Sequence, residues 1–86
     1  MTAKKTYKNN GRVPLSTQVK TELEHYFETL NGHKPANLYN MVISEVEAPL
    51  LSAVMDYTGG NQTRAAEILG INRTTLRKKL GIHGLE

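Results

Sequence analysis

Cysteine is absent from the 86 residues. Without thiols, neither a disulfide framework nor a cysteine-based zinc site holds this fold, which leaves helix packing or a second subunit to stabilise it. A chain this short buries a modest fraction of its surface, so a single small domain that associates with itself is expected. Long apolar runs are missing too. The first dozen residues are polar and basic, with no apolar core or cleavage site of a signal peptide, so the expectation is a soluble, cytoplasmic protein with no membrane partner. No combination of serine, histidine and acid and no phosphate-cradling glycine loop is present, and Gly59-Gly60 has no following Walker lysine. The chain therefore reads as a non-enzyme. His25, His33 and His83 lack ligand spacing and are expected on the surface, with no metal and no cofactor.

Acid is missing from the first twenty residues, which carry Lys4, Lys5, Lys8, Arg12 and Lys20. Residues 21–58 reverse the balance, with Glu22, Glu24, Glu28, Glu45, Glu47 and Asp56 against Lys34. From residue 59 onward Arg64, Arg73, Arg77, Lys78 and Lys79 outweigh Glu67 and Glu86. Both ends are thus cationic, and a net charge of +3 segregated in this way suits a polyanion held at one end.

What is present most clearly is GGNQTRAAEILGINRTTLRKKL at residues 59–80. It predicts two short helices with Asn61 and Asn72 at the N-cap positions and Gly70 at the corner between them, where a positive φ turns the chain sharply. Ala65, Ala66, Ile68, Leu69, Ile71, Leu76 and Leu80 form the expected inner surface. The second helix directs only Leu76 and Leu80 inward, leaving Arg73, Arg77, Lys78 and Lys79 for solvent or a partner. That is the pattern of a helix-turn-helix, whose second helix enters the major groove of DNA. The groove of A-form RNA is too deep and narrow for such a helix.

Upstream, Pro14 opens a helix in which Leu15, Val19, Leu23, Tyr26, Phe27 and Leu30 share one face, closed by Asn31-Gly32. A second helix is expected from Leu38 to about Tyr57, with Asn37 as its cap, Pro49 as a kink and Gly59-Gly60 as its stop. Met41, Val42, Ile43, Val46, Leu50, Leu51, Val54, Met55 and Tyr57 give that helix more apolar surface than one neighbour covers, which points to a homodimer. Tyr26, Phe27, Met41, Met55 and Tyr57 are accordingly expected in the core or the dimer interface. The expected organisation is a flexible basic arm over 1–13, a helical dimerisation core over 14–58 and a DNA-binding helix-turn-helix over 59–86. A competing reading of the basic end is a helical adaptor dimer that docks on an acidic protein surface.

EVEAPLL at 45–51, GNQTRAAE at 60–67 and GINRTTLRKKL at 70–80 resemble the Fis family of bacterial nucleoid proteins, and the likeness runs from about Pro14 to Leu80. The last helices are also similar to the DNA-binding domain of NtrC-type activators, which is attached to a large ATPase. The Fis resemblance implies an all-α, intertwined homodimer with four helices per subunit that binds and bends double-stranded DNA, regulates transcription in the bacterial nucleoid, and meets RNA polymerase or a recombinase. Because the two reading helices of such a dimer sit too close for successive major grooves of straight DNA, bending brings the grooves into register and the site's deformability enters the specificity.

Carried across residue by residue, the resemblance implies phosphate contacts from Asn61, Thr63 and Arg64 at the start of the third helix. Asn72, Arg73, Thr75, Arg77 and Lys78 match reading positions. Arg73 is assigned the guanine, whose O6 and N7 its planar fork engages together. Asn72 and Lys78 reach other base edges or phosphates, while Thr75 and Arg77 chiefly position the protein. Two departures stand out. Gly81, Ile82 and His83 replace the lysines with which well-known family members continue, which is expected to cost phosphate contacts. The N-terminal arm is shorter than, and unlike, the β-hairpin that some members use to activate a DNA-inverting recombinase.

Overall fold

The computed structural model describes residues 11–86. Within that span the regular elements are four helices, α1 (Leu15–Glu28), α2 (Leu38–Tyr57), α3 (Gln62–Leu69) and α4 (Arg73–Ile82). The described residues are all-α, as the resemblance implies. Most of the arm expected over residues 1–13 lies outside the described residues. No described helix is long and apolar enough to cross a membrane.

The chain divides into two compact units, one holding α1 and ending at Ala36, the other spanning Asn37–Glu86. In the first, Pro14 sits in extended backbone ahead of α1, where its missing N–H costs nothing. Helix α1 stops at Glu28, two residues short of the expected Leu30. Asn31 and Gly32 follow in left-handed conformations, with φ of 50° and 84°. No residue of α1 is buried.

The second unit carries the core. Leu51 of α2, Ala65 and Ala66 of α3, and Leu76 and Leu80 of α4 are buried together, with Val54, Met55, Leu69, Ile71 and Leu85 packed around them. Two adjacent alanines on α3 keep that helix thin where it packs on both α2 and α4. Ile68, expected on the inner surface, is instead 49% exposed. An eight-residue helix has only two turns, and Ala65, Ala66 and Leu69 already occupy its inward side.

Helix α2 runs unbroken through Pro49. Asn37 does precede it, but in a left-handed conformation with φ of 54° and no side-chain cap bond, so the expected capping role is not the one it plays. Its backbone carbonyl accepts from Met41 N at 3.1 Å instead. The helix closes as Gly60 N donates to Met55 O at 2.9 Å and Gly59 N to Asp56 O at 3.2 Å, the paired bonds of a Schellman stop. Helix α3 repeats the device, with Ile71 N on Ala66 O at 3.1 Å and Gly70 N on Glu67 O at 3.2 Å. Gly70 adopts φ of 76°, a backbone region costly for any residue with a Cβ, and turns the chain into α4.

The departure at residues 81–85 also has a structural purpose. Leu85 N donates to Leu80 O at 2.8 Å and Gly84 N to Gly81 O at 3.2 Å, a third stop of the same kind. It folds Leu85 back onto the core, so this segment terminates α4 where further lysines would have extended its basic surface.

Candidate nucleic-acid interface

Helices α3 and α4 each start on an asparagine whose side chain satisfies one of the amides left over at a helix N-terminus. Arg64 N donates to Asn61 Oδ1 at 3.0 Å, and Thr75 N donates to Asn72 Oδ1 at 2.7 Å. Both asparagines remain exposed. Neither helix has an acid in its first turn, so the positive ends of both helix dipoles are uncompensated. Such termini favour anions, phosphate among them.

All eight residues singled out in the sequence fall on this frame. Asn61, Thr63 and Arg64 gather at the start of α3. Asn72, Arg73 and Thr75 gather at the start of α4, with Arg77 and Lys78 one turn further on. Thr75 is half-buried, and the other seven are exposed. Arg77 and Lys78 share an open surface depression with Thr74 and Glu86. Thr74 had no signal in the sequence beyond its position next to Thr75.

The guanidinium of Arg64 lies 5.7 Å from the ring centroid of Tyr57. The sequence predicts Tyr57 in the core or at a subunit interface. Within this chain it is 73% exposed and serves as a platform for the arginine.

The basic face is not uniform. Lys79 Nζ donates to Glu47 Oε2 at 2.7 Å, and His83 Nε2 lies 2.9 Å from Glu47 Oε1. A carboxylate only accepts, so Nε2 carries a proton in this contact. Two expectations are corrected here: Lys79 does not face outward with the other cations, and His83 is no surface histidine, its side chain being 8% exposed. Among the described residues these are the contacts between basic and acidic side chains, which leaves Arg64, Arg73, Arg77 and Lys78 without acidic partners.

The Lys79 hydrogen bond, and after it that of His83, hold the Glu47 carboxyl below its ordinary value of 4.5. A carboxyl depressed on folding adds stability that is fully present above its unfolded value and disappears as pH falls through the lower folded one. Thermal unfolding from pH 6 downward is therefore expected to show wild type more stable than Glu47→Gln, with the gap closing below about pH 4.5. A gap that persists unchanged to pH 2.5 would contradict this origin.

Comparison with known proteins converges on the same region. The family model described as "Bacterial regulatory protein, Fis family" matches residues 42–81, from α2 through α4. Over 72 residues the chain is 57% identical to "DNA-binding protein Fis" of Mannheimia haemolytica, covering 84% of this chain and 74% of that relative. The same figures hold for "DNA-binding protein Fis" of Proteus mirabilis. The protein of that name from Aeromonas hydrophila is 56% identical over an equal span, with 84% and 74% covered.

Proposed function

The chain belongs to the Fis family of bacterial regulatory proteins, and from that footing we propose that it is a DNA-binding and DNA-bending regulator that works as a homodimer. The observation that carries this reading is the set of exposed, unpaired cations Arg64, Arg73, Arg77 and Lys78 on two capped helices whose positive ends are open. Relatives named for DNA binding support it.

Arg73 reads a guanine edge, and Asn72 and Lys78 reach neighbouring bases or phosphates. Asn61, Thr63, Arg64, Thr75 and Arg77 fix the register on the backbone. Self-association is supported by exposed apolar residues within each unit: Leu15 and Phe27 on α1, and Tyr39, Met41, Ile43 and Leu50 on α2. A monomer exposing so many large apolar side chains has surface to cover, and a second copy of residues 14–58 is the cover proposed here. Residues 59–86 then present one reading helix per subunit, and the duplex bends to meet the pair. In this reading the protein acts in the bacterial nucleoid and meets RNA polymerase or a recombinase, the latter without the hairpin by which some family members activate one.

Arg73→Ala is expected to lose about 1–3 kcal/mol of discrimination between a preferred duplex and a random one, because a bidentate guanine contact is removed. Arg77→Ala should weaken both duplexes by a similar factor. Mobility shifts with the two duplexes measure both effects. Equal losses for Arg73→Ala on the two sequences would remove its reading role.

A further inference from the structure

We infer that Glu47 is a positioning residue of the DNA interface, holding α4 at a fixed roll through Lys79 and His83 and withdrawing Lys79 from the cations that meet phosphate. The inference rests on the DNA-binding reading above and assigns a role within it to three side chains that no base or phosphate need touch.

The geometry of α4 supplies the argument. Successive residues of an α-helix are turned by about 100°, so the buried stripe of Leu76 and Leu80 divides the remaining surface. Lys79 and His83, four residues apart, lie along one side of that stripe. Arg73 and Arg77, also four apart, lie along the other. A rotation of α4 about its buried stripe that loosens one side therefore re-aims the other. Leucines in a small core resist such a rotation weakly, because apolar contact has no direction. Hydrogen bonds do have direction. Glu47, on α2, accepts from Lys79 with one oxygen and from His83 with the other, at 2.7 and 2.9 Å. Both oxygens of one carboxylate are thus spent on two successive turns of α4. No ion pair on the Arg73 side opposes it among the described residues.

The site is also sheltered enough for the pairing to persist. His83, Glu47 and Lys79 side chains are 8%, 20% and 35% exposed. An exposed lysine in a basic helix would add to the phosphate attraction, whereas Lys79 is neutralised by a carboxylate within hydrogen-bond distance. Its loss and the loss of its partner should therefore change the salt dependence of DNA binding in ways an ordinary phosphate contact does not.

The test measures affinity over a salt series for a duplex selected from a random pool and for unselected duplex, using wild type, Glu47→Gln, Lys79→Met and Lys79→Arg, with circular dichroism to establish folding. Glu47→Gln frees Lys79, so the slope of log K against log salt should steepen by about 0.9 per subunit, while the selected-to-random ratio falls about tenfold. Lys79→Met should lower the ratio by a similar factor and leave the slope unchanged. Lys79→Arg, which preserves the pair, should keep both at the wild-type value. A shallower slope with an intact ratio for Lys79→Met would overturn the inference, since that is the signature of a phosphate contact. So would a wild-type slope and ratio for Glu47→Gln. Should Glu47→Gln unfold, Lys79→Met decides between these outcomes by its slope. Wild type failing to bind either duplex would sink the DNA-binding reading itself and the inference with it, whereas wild-type binding with indifferent variants sinks the inference alone.

Discussion

Leu76→Ala is expected to destabilise the protein by about 2–5 kcal/mol, a large share of the total stability of a domain this size. Leu76 is 0% exposed and belongs to a core of five buried residues among those described, two of them alanines that contribute little area. The cavity left by its side chain opens in a cluster whose other large buried members, Leu51 and Leu80, are already in place. Ile68→Ala, on the same pair of helices, is expected to cost about 0.5 kcal/mol or less, because that side chain is 49% exposed. Thermal melts of both variants check the contrast. Similar losses for the two would mean that Ile68 is covered in the working protein, by a second subunit or another partner.

The second large effect concerns salt. Each subunit offers Arg64, Arg73, Arg77 and Lys78 as unpaired cations, with Lys79 discounted because of Glu47. On random duplex, where Arg73 has no selected guanine to read and meets the backbone with the other three, a dimer neutralises about eight phosphates and the log–log slope is about −7, at roughly −0.9 per phosphate. Raising salt from about 50 to about 200 mM should then weaken duplex binding by about 10⁴-fold. A titration on random duplex measures this directly, since the counterion term is independent of sequence. A slope near zero would remove electrostatic attraction from the account. A slope near half the expected value would mean that a single subunit carries the contacts.

Much of this arrangement is legible in the sequence. Asn61, Asn72 and Gly70 act through chemistry confined to a few residues, an amide side chain reaching three positions ahead and a backbone angle that a Cβ penalises, so the local sequence states their roles. Helix α2 was equally readable, because Gly59-Gly60 terminates it at the point where the apolar pattern stops. What escaped was set by tertiary contact. Glu47 lies 32 residues from Lys79 and 36 from His83, and no spacing rule connects an acid on one helix with cations on another. His83 therefore read as one more surface histidine and Lys79 as one more outward cation. Ile68 failed for a related reason, since two turns of helix contain too few residues for periodicity to choose between neighbouring faces. Asn37 shows the limit of residue preference. Asparagine is favoured both as a cap and in the left-handed region, and here the backbone used the second property.

Methylation interference on a bound duplex tests most directly whether α4 lies in a major groove with Arg73 against a guanine. Methyl groups placed on guanine N7 should block binding at two positions in neighbouring major grooves, and Arg73→Ala should erase that interference while leaving contacts to phosphate in place. Binding that ignores N7 methylation in wild type would contradict the account, and would leave the basic helix as a surface for some other polyanion.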